Sequence, residues 1–329
     1  MKLASLKSRA PDARLVVVSR DLANAAAVPE IAASLQAAMD DWARCAPRLA
    51  AVYHSLTAGE RPDAFPFMPR EAASPLPRAY QWCDGSVYLP HMERMSRWRG
   101  LPVPEVFFRE PFVYQGGSDG FLGPTDPIPL VDEAWGLDFE AELAIVTDEV
   151  PLGTSATIAA PHIKLVMLCN DVSLRNLIPP ELDKGFGFYQ SKPASAFSPV
   201  AVTPDELGSA WKDAKLSLPI VTTFNGTEFG RPNCAVGAQF SFADIIAHAA
   251  KTRALAAGSI IGSGTVANPD ISLGTSCIAE KRVLETLGSG KPITPYMRHG
   301  DRVRIEMFDA AGKSIFGAID QTVAQYARS

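Results

Sequence analysis

The chain has 329 residues, is 47% hydrophobic and 20% charged, and carries a formal net charge of −5. That composition describes a folded globular protein rather than a disordered one, long enough for one large domain plus a smaller one. The acidic balance, without a basic stripe or zinc-finger spacing, argues against nucleic acid or an anionic membrane as the main partner.

In chain order, RLVVVS at Arg14–Ser19 is a β-branched run and predicts a strand. From Pro29 to about Arg44, Ile31, Leu35, Met39 and Trp42 fall close to a helical stripe. Pro47 is expected to break or offset that helix before a second helical piece, LAAVYHSL. Pro62, Pro66, Pro69, Pro75 and Pro77 then crowd a stretch of little periodicity. This places a boundary near residue 75, between a small N-terminal α+β domain at 1–75 and a larger domain at 76–329. Beyond it, Leu165 to Cys169 is a continuous apolar run that reads as a buried strand. Asn225-Gly226 between β-prone flanks predicts a hairpin. Ser241 and Asp244 form a capping box ahead of a helix that buries Phe242, Ile245, Ile246 and Ala249. Near the end, Val303, Ile305 and Met307 alternate inward, the chain turns at Ala311-Gly312, and it returns through Ile315 and Phe316. Strands separated by irregular segments, with few long helices, predict a β-rich α+β fold rather than a doubly wound sheet.

Five scattered cysteines, Cys45, Cys83, Cys169, Cys234 and Cys277, include no CxxC pair, which predicts neither a disulfide framework nor a thiolate metal site. A reducing, cytoplasmic compartment is expected. The opening MKLASLKSRAPDARLVVVSRD has no apolar signal-peptide core, and no apolar run is long enough to span a bilayer.

The stretch LDFEAELAIV at 137–146 sets three acids, Asp138, Glu140 and Glu142, at alternate positions in an apolar run. In a strand they share one face, opposite Phe139, Ala141, Leu143 and Ile145. Such a face is either solvated or a hard-cation site, since converging carboxylates repel unless a cation compensates them. Two other acids bear on the choice. Asp171 ends the buried run, where an acid is often only a turn former; Asp84 lies seven residues before His91, which sits in a Pro-flanked loop.

Taken together, these pieces resemble the fumarylacetoacetate hydrolase family from about residue 80 onward. The resemblance rests on Asp84-x₆-His91, YQGG at 114–117, DFEAE at 138–142, NDVSLR at 170–175, SKP at 191–193, GSGT at 262–265 and an acid at Glu280. The preceding segment resembles the small N-terminal domain of the fumarylacetoacetase branch. The resemblance implies a β-rich, roll- or barrel-like catalytic domain and a homodimer. It also implies one divalent cation, Mg²⁺ or else Ca²⁺ or Mn²⁺, held by Asp84, Glu140, Glu142 and Asp171. Asp138 matches no ligand position and is expected to be structural or supporting.

The implied reaction is hydrolysis of a carbon–carbon bond in a β-diketone acid such as fumarylacetoacetate, in aromatic amino-acid breakdown. His91 would act as general base, Glu280 would orient it, and Lys192 would protonate the departing carbon. Tyr114 and Thr265 match substrate-contacting positions, and Arg99 is a candidate carboxylate clamp. The chain departs from the animal-type pattern at Ser86 and at Asn176–Pro180, where that pattern has substrate-contacting Tyr, Gln and Tyr. Acylpyruvate hydrolysis, oxaloacetate-type decarboxylation and isomerisation or hydration of meta-cleavage products are alternatives on the same acids. A non-catalytic binding protein with a structural metal is a further one.

Overall fold

A computed structural model describes residues 1–326. Its main sheet has 11 strands. From one edge the order is Phe65–Pro66, Asn24–Ala27, Arg14–Val18, Lys2–Leu6, Ala201–Val202, Ile163–Asn170, Ala141–Thr147, Ser259–Gly262, Trp82–Ser86 and Phe112–Gly116. Ala196–Phe197 also pairs with Ile163–Asn170. Along this path neighbours are antiparallel except Ser259–Gly262 beside Trp82–Ser86. A second sheet runs Thr227–Gly230, Ile220–Phe224, Arg302–Met307, Ile319–Gln325 and Ile128–Leu130. The β-rich mixed fold with few helices is therefore as expected. Both sheets keep two free ends, however, so the expected barrel is not closed.

The central strands are buried on both faces, which explains their continuous apolar runs. Phe139, Ala141, Leu143 and Ile145 face one core, shared with Ile220, Val303, Ile305 and the helix Phe242–Ala249. Ala144, Val146, Leu165 and Met167 face the other core, under Leu35, Met39, Leu49 and Val52 of the N-terminal helices. The acids at even positions of 138–142 thus issue from the face that the N-terminal segment covers further along.

Local chemistry accounts for most elements. Ser241 and Asp244 make the reciprocal capping box. Asn225 and Gly226 have φ of 49° and 80°, the left-handed pair a tight two-residue hairpin needs. The five cysteines are buried and free. No helix among the described residues is long and apolar enough to cross a membrane.

Two expectations shift. The first helical stripe is split into Leu35–Asp40 and Trp42–Thr57, with the break at Asp41 and Pro47 inside the second helix. Ser34 caps the first piece by accepting from Ala37 N, so Ile31 is buried but lies outside the helix. Pro47 falls early in its helix and forfeits only the bond to Ala43. The C-terminal return strand starts at Ile319 rather than Ile315. Ile315 and Phe316 are buried, yet only a local bridge follows the turn.

Candidate active site and metal centre

Asp84, in Trp82–Ser86, Glu142, in Ala141–Thr147, and Asp171, one residue past Ile163–Asn170, come from three strands of the main sheet. One carboxylate oxygen of each lies within 4.8 Å of the others. The fourth expected ligand, Glu140, stands beside this trio with both oxygens engaged: Oε1 accepts from Arg175 Nη2 at 2.7 Å and Oε2 from Lys192 Nζ at 2.6 Å. Asp171 accepts from Lys192 Nζ at 2.5 Å, Tyr114 Oη at 2.6 Å and Ser195 Oγ at 2.7 Å. The Asp171 backbone N–H donates to Glu140 O, and Asn170 Oδ1 accepts from Glu140 N. These bonds fix the Asn-Asp pair against the acidic strand.

All five carboxylates, including Asp138, are buried, so the solvated-face alternative does not hold. Five acids converge on two cations, Arg175 and Lys192. The electrostatics follow from that imbalance. Burial and the neighbouring Asp171 raise the Asp84 carboxyl well above its ordinary range. Burial, Asp84, Glu140 and Asp171 do the same to Glu142. Burial also acts on Glu140, but Arg175 and Lys192 overcome it and hold that carboxyl low. Lys192 is correspondingly held protonated by Asp171 and Glu140 against its own desolvation. Both Glu142 oxygens are buried and accept from no N–H or hydroxyl of any described residue; their polar neighbour is the Asp84 carboxyl. Buried carboxyls facing one another with no N–H donor between them are what a hard divalent cation compensates, and an all-oxygen donor set suits Mg²⁺, Mn²⁺ or Ca²⁺. The residues fit the expected group.

The glycines of GSGT now have a reason. A Cβ on Gly262 would stand 2.2 Å from Asp84 Oδ1 and 2.5 Å from the Trp82 ring. Gly264, at φ 80°, packs where a Cβ would meet Gly85 O at 2.4 Å, and its N–H donates to Asp84 Oδ1 at 3.3 Å. Only glycine lets this strand pass so close behind the carboxylate.

Opposite the acids lies a second charged assembly. His91 is not in a loop, as its flanking proline suggested, but in the first turn of the helix Leu89–Trp98. Pro90 is tolerated there because the first-turn N–H groups have no helical acceptor. His91 Nδ1 bonds Glu280 Oε2 at 2.5 Å. Glu280 is fully buried in the first turn of Ile278–Ser289, which excludes a surface role for it. Burial tends to raise its pKa, but His91 and Arg94 hold it below the ordinary range. Arg94, one helical turn after His91, donates to Glu280 Oε1 at 2.5 Å and to Asn268 O at 2.5 Å.

Arg94 and Arg175 were not singled out from sequence. Arg175 donates to both Asp138 Oδ2, at 2.8 Å, and Glu140. Its signal was its place in NDVSLR, four residues after Asp171; Arg94 had only its spacing of three from His91. Asp138 also accepts from Ile278 N and Ala279 N, so it caps the helix that carries Glu280.

One cavity of about 460 Å³ gathers these groups. Of the expected site residues, Asp84, His91, Tyr114, Glu140, Glu142, Lys192 and Thr265 line it, with Arg99 exposed at its rim. Asp171 and Glu280 stand behind that lining. Ser86 and Ile178 also line it, whereas Tyr88 turns into the core and donates to Cys234 O at 2.7 Å.

The signature of the fumarylacetoacetate (FAA) hydrolase C-terminal family covers residues 81–324, and that of fumarylacetoacetase N-terminal domain 2 covers residues 1–78. The chain belongs to the fumarylacetoacetate hydrolase family. Among curated relatives, an uncharacterised protein of Archaeoglobus fulgidus is 28% identical over 183 residues, 56% of this chain and 66% of its own length. A mitochondrial oxaloacetate tautomerase of Xenopus laevis is 30% identical over 94 residues, 29% of this chain and 27% of its own length. The matches thus span less than two thirds of either relative. Among solved structures, the maleylpyruvate hydrolase of Sphingobium sp. SYK-6, in complex with manganese(II) and pyruvate, has a TM-score of 0.64 at 17% identity, covering 99% of this chain and 100% of that one. The fumarylacetoacetate hydrolase of Exiguobacterium antarcticum gives 0.65 at 18%, over 99% and 100%. At these identities the structures establish the shared fold.

Proposed function

We propose that this chain is a cytoplasmic, homodimeric, Mg²⁺-dependent hydrolase that splits a carbon–carbon bond of a β-diketo acid. Fumarylacetoacetate is the reference substrate and acylpyruvates are the principal alternative. The observation that carries the reading is the His91–Glu280 pair opening into the cavity that holds the acid cluster. A cation held by Asp84, Glu140, Glu142 and Asp171 would supply Lewis-acid charge to the substrate oxygens.

The chain's own groups do the rest. With Nδ1 committed to Glu280, His91 presents Nε2 as the base that takes a proton from water. Arg94 and His91 keep Glu280 anionic, so it can stabilise the imidazolium that results. Hydroxide adds to the carbonyl carbon, the adjacent carbon–carbon bond breaks, and the electron pair stays on the departing carbon. Lys192, protonated between Glu140 and Asp171, delivers the proton that carbon needs, and one water is consumed overall. Tyr114, Thr265 and Arg99 are the proposed substrate contacts.

The test is a product assay on fumarylacetoacetate, acylpyruvates and oxaloacetate with Mg²⁺-loaded protein. Cleavage into two acids that His91→Ala abolishes, with cation binding retained, supports hydrolysis. Interconversion or decarboxylation without hydrolytic products moves the chain to the tautomerase, isomerase or decarboxylase reading. Metal binding without turnover of any of them leaves only the non-catalytic one.

A further inference from the structure

Asn170 ties the acid cluster to the second sheet. Its Oδ1 accepts from Glu140 N at 3.2 Å, and its Nδ2 donates to Gln321 Oε1 at 2.9 Å. Gln321 lies in the strand Ile319–Gln325, and its Nε2 donates to Asp126 O at 2.9 Å. Both amide side chains are fully buried. The two ends of this chain of bonds have fixed polarity, because the Glu140 N–H can only donate and the Asp126 carbonyl can only accept. Gln321 must therefore turn Nε2 to Asp126 O, which leaves Oε1 for Asn170. Asn170 must then give Nδ2 to Gln321, which leaves Oδ1 for Glu140. A reversed Asn170 would set donor against donor at Glu140 and acceptor against acceptor at Gln321, with no solvent to relieve either.

The far end is itself anchored. Asp126 Oδ2 accepts from Gly123 N at 2.8 Å, Oδ1 pairs with Lys7 Nζ, and Asp320 N donates to Pro124 O at 2.7 Å. These bonds hold the Asp126 loop against the strand that carries Gln321. The near end bears on the carboxylates. Glu140 receives one bond from each member of the Asn170-Asp171 pair: its N–H goes to Asn170 Oδ1, and its carbonyl accepts from Asp171 N at 3.0 Å. Two of the four acids are thus set side by side through their backbones, and one of the two bonds depends on which way the Asn170 amide faces.

We propose that Gln321 is a positioning residue of the metal centre: it fixes the orientation of the Asn170 amide and so holds Glu140 and Asp171 in the arrangement that binds a cation. Its own amide bonds neither carboxylate. The proposal rests on the reading of the acid cluster as a cation site and on no step of the reaction. Without the Gln321 amide, Asn170 is free to take either orientation. Only molecules with Oδ1 towards Glu140 keep the acids in place, and the apparent Kd for the cation rises by the inverse of their fraction.

Gln321→Met keeps the volume of the side chain and removes both bonds. Calorimetric titration of the metal-free variant with Mn²⁺ should show binding weakened roughly fivefold, the equilibrium equivalent of one net hydrogen bond. Hydrogen exchange of the metal-free protein, resolved to the Glu140 amide, should be faster than in the parent. Val323→Ala, two residues along the same strand and in the apolar core, is the control: it lowers stability and leaves Mn²⁺ binding unchanged. Parent-like Mn²⁺ affinity in Gln321→Met, or an equal loss in Val323→Ala, overturns the proposal. If the unmodified protein binds no Mn²⁺, the cation reading fails and exchange decides: a Glu140 amide no faster in Gln321→Met than in Val323→Ala overturns the positioning role as well. Should Gln321→Met not fold, Gln321→Glu, which keeps the acceptor and loses the donor to Asp126 O, takes its place. Failure of both to fold makes Gln321 a residue of the fold alone, which also overturns the proposal.

Discussion

Replacing Glu142 by the apolar isostere Met should stabilise the metal-free protein and abolish its stabilisation by divalent cations. Glu142 is fully buried, has no N–H or hydroxyl donor to its oxygens, and faces Asp84, Glu140 and Asp171. A buried unsatisfied polar group costs about 1–3 kcal/mol, with charge adding to that. With an unfolding entropy of about 2.1 cal/mol/K per residue, 1 kcal/mol moves the midpoint of a chain this size by about 1.5 °C. In EDTA the variant should therefore melt roughly 1.5–4.5 °C above the parent. A cation at 100 times its Kd adds about 2.7 kcal/mol to the parent, or about 4 °C. The variant lacks most of that gain, so its lead over the parent in EDTA shrinks by most of that roughly 4 °C in Mn²⁺. Differential scanning calorimetry at pH 8 reads both conditions. A variant that melts lower in EDTA, or gains as much from Mn²⁺ as the parent, refutes the assignment of Glu142 as a strained ligand.

Three further outcomes follow from named contacts. Arg94→Met removes a partner of a buried ion pair and should cost about 3 kcal/mol at pH 7. The Glu280 carboxyl is depressed, so its stabilisation is present above the ordinary glutamate range and is lost as pH falls through its folded value. In the variant that acid-side loss becomes shallower, and urea melts from pH 3 to 7 that stay parallel to the parent's would contradict this. Gly262→Ala forces a Cβ against Asp84 Oδ1 and should weaken Mn²⁺ binding by roughly 5- to 150-fold, from about 1–3 kcal/mol of overpacking. Gly288→Ala, in a helix with open space around it, is the control that leaves Mn²⁺ binding unchanged. Asp138→Ala leaves Arg175 Nε and two helix N–H groups without their acceptor, while Arg175 keeps Glu140, and should lower stability by about 1–3 kcal/mol, read by chemical denaturation.

Legibility in the sequence tracked the range of the interaction concerned. The hairpin at Asn225-Gly226 and the capping box at Ser241 are decided within four residues, and both formed where the sequence placed them. Alternation at 137–146 correctly paired Asp138 with Glu140 and Glu142, but the same pattern fits a wet face or a buried one. Burial depended on Lys192 and Arg175 arriving from distant segments. His91 was misplaced because proline was read as a helix breaker, whereas in a first turn it is a helix former. Arg94 was invisible for a deeper reason: its acceptor lies 186 residues away, on a helix whose docking only the fold reveals.

Sequence spacing makes Glu140 and Glu142 equivalent, and the fold makes them opposites: one is doubly paired, the other unpaired. Glu140 and Asp171 each share an oxygen with Lys192, so a cation joining Asp84, Glu142, Glu140 and Asp171 sits beside the lysine's positive charge. Lys192 therefore opposes cation binding electrostatically while the proposed reaction depends on its proton. Lys192→Met separates the two roles. A unit charge about 4 Å from another is worth about 4 kcal/mol at the effective dielectric of a partly buried site. Even a third of that survives as roughly a tenfold gain in Mn²⁺ affinity. Titration of the metal-free variant should show that gain, with turnover lost. If Mn²⁺ instead binds more weakly without the lysine, Lys192 is organising the carboxylates rather than competing for them, and the opposition argued from its two ion pairs is wrong.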